Sequence, residues 1–200
     1  MSQPPVFGEP LPVEAAPEVL SYLARRRSAS AQTLTAPGPD PETLNGILGL
    51  AARVPDHGKL SPWRFIVVDG DAKRALVAAV ERIAAGRPDA DKASGALIKL
   101  RNPPTSVVVV SSPVAGKIPV WEQELSTGSV CMTLLIAAQA AGFGANWITD
   151  WYSEDPCVLS LLGVKSGERV AGFIHIGAAA EPPLERVRPD LDNLVTRWTG

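Results

Sequence analysis

Two short basic stretches carry most of the chemistry this sequence offers. Arg25-Arg26-Arg27-Ser28-Ala29-Ser30 sets three guanidinium groups beside two hydroxyls. Arg53-Val54-Pro55-Asp56-His57-Gly58-Lys59-Leu60-Ser61-Pro62-Trp63 places Arg53, His57 and Lys59 in a polar, proline-bounded loop. Guanidinium groups fork onto phosphate oxygens, and a serine hydroxyl adds a further bond. Each charge-assisted bond is worth about 1.5–3 kcal/mol, so two or three anchor a mononucleotide. Plainer readings stand beside this one. Arginines at a helix end interact with its macrodipole, Arg53 serves as a solvated helix terminus, and His57 satisfies nearby backbone groups.

The elements that must position these groups follow from hydrophobic spacing. A helix is expected over Ala16 to Arg26, with Val19, Leu20 and Leu23 on one face. Asp40-Pro41-Glu42 reads as an N-cap, a first-turn proline and an acid at the positive helix end. Leu44, Ile47, Leu48, Ala51 and Ala52 then keep one buried helical face. Phe65 to Val68 reads as a strand, followed by a helix with Ala75, Leu76, Ala79, Val80 and Ile83 inward and Gly86 at its end. Asp89 to Leu100 is a weaker helix, and Thr105 to Val110 a strand buried on both faces. Pro113 to Pro119 reads as a mobile loop. The longest helix runs from about Trp121 to Ala141, with Leu125, Ser129, Met132, Ile136 and Ala140 in register. Val130, Leu134, Leu135 and Ala137 make it apolar on more than one face, so it is deeply buried or shared with a partner chain. Gly142-Phe143-Gly144 ends it, Ala145 to Thr149 is a short strand, Pro156 to Leu162 a short helix, and Val170 to Ile176 the last strand.

Three segments are expected: a flexible 1–15, one domain over 16–177, and an extension over 178–200. The extension holds Leu191, Leu194, Val195 and Trp198, too apolar for an unstructured tail, and should pack on its own core or on a second subunit.

Composition excludes several classes. A hydrophobic content of 46% builds a sizeable core, and a net charge of −2 has no polycation footprint for nucleic acid. Val130 to Ala141 is too short to span a bilayer and carries Gln139. No secretory signal is visible, and Cys131 and Cys157, both in apolar helical contexts, suit a reduced cytoplasm. With two histidines and no metal-ligand spacing, no metal site is expected. His175, in an alternating strand, reads as a packed side chain, and Trp63 as core. The P-loop, dinucleotide, nucleophile-elbow and zincin motifs are absent. No nucleophile–base pair is visible, so a cofactor should carry the chemistry.

In order and spacing, Arg26-Arg27-Ser28, Arg53, His57, Ser61-Pro62-Trp63 and Gly144-Ala145-Asn146-Trp147-Ile148-Thr149 resemble the flavin-binding layout of the nitroreductase family, in its compact bacterial branch. The resemblance spans about Leu20 to Gly177. It implies an α+β fold, a mixed and mainly antiparallel sheet flanked by helices, in a homodimer with two FMN sites between subunits. Arg26, Arg27 and Ser28 would meet the FMN phosphate and ribityl chain, and Arg53 and His57 would reach in from the neighbouring subunit. Trp147, Ile148 and Thr149 would line one side of the flavin. Ala137, Ala138, Gln139, Ala140, Ala141 and Gly142 would lie near the nicotinamide nucleotide. Trp121-Glu122-Gln123-Glu124 also recurs in that branch, though its acids equally suit a helix N-terminus. Three positions depart: the family's later basic residue is Ser30, its Gln-Pro-Trp is Ser61-Pro62-Trp63, and Lys59 stands where many relatives have Asn or Ser.

The implied activity is a ping-pong oxidoreductase. NAD(P)H would reduce flavin N5, and a nitroaromatic or quinone would then take the electrons, with no catalytic side chain required. The alternatives are a specialised member acting on one physiological substrate, a flavin carrier without turnover (suggested by Ser30), and an anion-binding domain without flavin.

Overall fold

The structure, a computed structural model, describes residues 5–200. Seven α-helices and five strands are found among them, in the order α1 (Pro17–Arg25), β1 (Leu34–Thr35), α2 (Pro41–Ala51), β2 (Trp63–Val68), α3 (Gly70–Ala85), α4 (Ala90–Ala96), α5 (Ile98–Arg101), β3 (Thr105–Ser111), α6 (Val120–Ala140), β4 (Gly144–Ile148), α7 (Pro156–Leu161) and β5 (Arg169–Ala179). Every strand pairing among the described residues is antiparallel, in keeping with the mainly antiparallel sheet that the resemblance implied. β3 lies between β2 and β5, β4 pairs with β5, and β1 pairs with the end of β5.

Strand alternation divides the core into two layers. Val107, Val109, Ile174 and Ile176 pack with α2 and α6. Val108, Val110 and Phe173 face the other way, against α3, α4 and α7. β3 is therefore buried along its whole length, as its unbroken apolar run predicts.

Several elements begin and end for local reasons legible in the chain. Asp40 caps α2 through a 2.8 Å bond to the Thr43 N–H, with Pro41 in the first turn. Gly142, at φ +91°, adopts the left-handed conformation that ends α6. Arg64 forks onto Glu168 at 2.9 and 2.6 Å, and Ser112 donates to the same carboxylate at 2.6 Å. That clamp joins the starts of β2 and β5 to the loop after β3 and holds the Glu168 carboxyl well below its ordinary pKa.

Other expectations are corrected. α3 turns Lys73, Val77, Val80 and Ala84 to the sheet and leaves Ala75 exposed. Its many alanines carry little directional signal, and buried Lys73 finds its partner on another element. The expected helix at 89–100 is two short ones meeting at Leu97. On α6 the stripe in register is the outer one: Leu125 is 62% exposed, Ser129 and Ala140 are exposed, and Met132 and Ile136 are half-buried. The loop before α6 is not loose, because buried Gln123 bonds the Val114 N–H at 2.8 Å and the Val114 and Ile118 carbonyls at 3.0 Å each. Cys131 is buried, its thiol pushed up to about 12, whereas Cys157 is exposed at the start of α7. Residues 181–200 are exposed throughout, Trp198 at 90%, so the tail does not pack on its own core. No helix among the described residues is long and apolar enough to cross a membrane, and no cluster of His, Cys, Asp or Glu is placed to hold a metal ion.

Candidate functional site

The arginine cluster sits where α1 ends. Arg26 turns the chain into an extended conformation, and the Ala29 N–H then bonds the Ala145 carbonyl of β4 at 3.1 Å. This hands the segment Arg26–Ala29 from a helix end to a strand. Arg26 Nε donates to Gln139 Oε1 at 3.0 Å and its Nη2 donates to Ser28 Oγ at 3.2 Å. The Gln139 amide in turn donates to the Arg27 carbonyl. Gln139, near the end of α6, is thus a clamp on both arginines. A guanidinium has five N–H donors. Two of Arg26's are engaged by these contacts, which leaves the others for a ligand.

The tail returns to the same place. Arg27 Nε donates to the Leu184 carbonyl at 2.8 Å, and Glu185 lies 4.0 Å from Arg27 and 2.9 Å from Arg188. Arg26, Arg27, Tyr22, Gln139, Phe143 and Pro183 line a cleft of about 260 Å³. The role of the tail and that of Gln139 escape a sequence reading. The only signals were an amide in the apolar end of a helix and arginines between prolines. Ser30 caps the short helical turn at Ala31–Thr33 by accepting from the Gln32 N–H at 3.3 Å, which suits a serine better than a cation.

β4 extends from this cluster. Asn146 donates to the Ala29 carbonyl. The Trp147 ring lies over Gly172, where any side chain would collide with it, and its Nε1–H donates to the Ala171 carbonyl at 3.2 Å. Ile148 is half-buried and Thr149 exposed. From Ala145 to Thr149 the chain covers about 13 Å, so Arg26, Arg27 and Ser28 stand at one end of an edge that finishes at Thr149. Of the remaining expected positions, Ala137 and Ala138 face the core, while Ala140, Ala141 and Gly142 are exposed.

The second basic stretch is elsewhere. Gly58, Lys59 and Ser61 all have positive φ, a concentration of left-handed backbone that L-residues disfavour. α6 holds the loop in this shape: Ser126 Oγ donates to the Pro55 carbonyl at 2.6 Å and Thr127 Oγ1 to the Pro62 carbonyl at 3.2 Å. His57 Nδ1 lies 2.6 Å from Glu122 Oε2, so it pairs with a carboxylate rather than with local backbone. Arg53 is exposed just beyond α2. Glu122 and Gln139 lie near opposite ends of α6, about 25 Å apart at the rise of an α-helix. Within one chain, no small ligand touches both Arg26 and His57.

The sequence matches the profile of the Nitroreductase family over residues 23–178. The chain belongs to the nitroreductase family. A relative from Escherichia coli K12, YdjA, named as a candidate NAD(P)H nitroreductase, is 37% identical over 167 residues, covering 80% of this chain and 87% of the relative. Among solved structures, a nitroreductase-like family protein from Bacillus cereus superposes with a TM-score of 0.81 at 21% identity, covering 96% of this chain and 100% of that one. A nitroreductase with bound FMN from Bacteroides fragilis superposes with a TM-score of 0.69 at 23% identity, covering 91% of this chain and 99% of the other. The shared fold is the helix-flanked antiparallel sheet described above. In this member of the nitroreductase family, α6 is the axis on which both basic stretches are mounted.

Proposed function

We propose that the protein is an FMN-dependent oxidoreductase that uses NAD(P)H to reduce a small electron-poor acceptor, a nitroaromatic or quinone, by a ping-pong mechanism in a homodimer. The observation that carries this reading is the placement of the two basic stretches at opposite ends of α6. A second chain packed along the exposed Leu125–Ala140 stripe would bring its Arg53 and His57 to the first chain's arginine loop. The exposed apolar tail gives that partner further surface to cover. The named relatives, an NAD(P)H nitroreductase candidate and an FMN-bound nitroreductase, agree with it.

The residues present fit FMN. Arg26, half-buried and clamped by Gln139, offers unused N–H donors beside the Ser28 hydroxyl, a donor set suited to a phosphate. Trp147, Ile148 and Thr149 continue along the edge on which a flavin ring would lie. Bound FMN supplies hydride acceptance and release at flavin N5. The chain's own residues bind and orient: Arg26, Arg27 and Ser28 hold the phosphate end, Arg53 and His57 close the site from the partner, and β4 presents backbone to the ring. Nicotinamide contact falls to exposed Ala140, Ala141 and Gly142 rather than to the buried part of that helix end.

The test is the visible spectrum of purified protein after FMN incubation and desalting, before and after anaerobic NADH or NADPH. Flavin bands that bleach are expected. Bands that persist would favour the carrier reading, which Ser30 as a helix cap rather than a cation also suits, and a colourless protein would overturn the proposal. Gln139→Leu keeps the helix apolar but releases Arg26 and Arg27. It should weaken FMN binding about tenfold, the scale of one lost charge-assisted bond, as measured by flavin fluorescence titration. Unchanged affinity would remove Gln139 from the site.

A further inference from the structure

A row of polar side chains lies inside the layer beneath α3. Ser106 on β3, His175 on β5 and Asn146 on β4 are directly opposite one another across three neighbouring strands, so they share one face of the sheet. Lys73 reaches the row from α3. Lys73, Ser106 and His175 are all buried, His175 completely. Lys73 Nζ donates to Ser106 Oγ, and Ser106 Oγ lies 2.7 Å from His175 Nδ1. At the far end, Asn146 Nδ2 donates to the Ala29 carbonyl. Two buried atoms of the row have no partner: His175 Nε2 and Asn146 Oδ1. They belong to opposite residues, whose Cβ atoms stand about 4.5–5.5 Å apart in such a pair.

Donor direction decides how the row is wired. The Ala29 carbonyl only accepts, so Asn146 must turn its amide nitrogen toward Ala29 and its oxygen away. At the other end Lys73 Nζ donates to Ser106 Oγ, which therefore turns its own proton to its remaining partner, His175 Nδ1. Nδ1 is then bare, and the imidazole proton lies on Nε2, on the side of the ring away from Ser106. Two fixed ends, the Lys73 donor and the Ala29 acceptor, orient the row.

We infer that Lys73, Ser106 and His175 form one directional hydrogen-bond relay, with His175 locked as the Nε2–H tautomer, and that Asn146, opposite His175, acts as a positioning residue for the cofactor segment Arg26–Ala29. Burial pushes the Lys73 amine down to about 7, and burial together with the Lys73 charge pushes His175 down to about 3, so the imidazole stays neutral as the relay needs. The relay explains why an otherwise apolar layer holds a lysine, a serine and a histidine. The Asn146–Ala29 bond at the end of the row ties the loop bearing Arg26 to the sheet.

The functional half of this inference rests on the FMN reading; the tautomer does not. Nitrogen-15 NMR of the imidazoles in the full-length protein should show His175 as neutral Nε2–H from about pH 5 to 8. Asn146→Ala should shift that N–H resonance and raise the FMN dissociation constant about tenfold, with turnover at saturating FMN changed much less. Asn146→Asp, which keeps an oxygen toward His175 but loses the donor to Ala29, should retain the Nε2–H and still weaken FMN. An Nδ1–H tautomer in the wild type, or an Asn146→Ala protein with unaltered imidazole signals and FMN affinity, would overturn the inference. Should Asn146→Ala fail to fold, the wild-type tautomer decides. A wild type that retains no FMN would sink the proposed function and leave the tautomer result standing.

Discussion

Mixing an Arg26→Ala chain with an Arg53→Ala chain, by co-expression or by refolding together, should restore turnover to about one quarter of the wild-type level. Each variant alone is expected to bind FMN about 10- to 100-fold more weakly, because each loses charge-assisted bonds worth roughly 1.5–3 kcal/mol. If Arg26 and Arg53 serve one cofactor from different chains, a mixed dimer concentrates both lesions in one site and leaves the other intact. Random pairing makes about half the dimers mixed, with one intact site of two in each. The expectation follows from the length of α6, which keeps the Arg26 loop and the His57 loop about 25 Å apart within a chain. Turnover that stays at the level of the separate variants would mean that the two stretches do not share a site, and the dimeric reading would fall with it.

A second large effect is expected in stability against pH. His175 is held near 3 in the folded chain against an ordinary 6.5. Its contribution is complete above about pH 6.5 and lost as pH falls toward 3, since the unfolded chain takes up the proton first. By about pH 4.5 the loss reaches roughly 2–3 kcal/mol, two pH units at 1.36 kcal/mol each. Lys73 acts in the alkaline window. Its folded value of about 7 lies below the ordinary 10.5, so the unfolded chain binds more protons between those limits and stability rises with pH across them. Lys73→Met, which fills the same space without an ionisable group, should remove the alkaline rise and add about 2 kcal/mol at neutral pH. Denaturant titrations from acid to alkaline pH measure both. A wild type whose stability matches that of Lys73→Met at every pH would show that Lys73 is solvated.

The sequence alone reached the framework and the family. Asp40-Pro41, the apolar run of β3 and the glycine after α6 act through neighbours a few residues away, so local spacing is sufficient to read them. The same holds for the family resemblance, which rests on short motifs in a fixed order. Tertiary structure decided the rest. Lys73 turns inward because Ser106, on another element, supplies an acceptor. Gln139 leaves the helix surface to hold Arg26, 113 positions away. The stripe of α6 that spacing picked out points outward, since the helix is apolar on several faces and only its neighbours choose which are covered. His57 and Arg26 look equivalent as basic residues in loops, yet one rigid helix separates them. Periodicity reports which side chains share a face. It does not report what lies across from that face, and burial, hydrogen-bond direction and the separation of the two basic loops all depend on that.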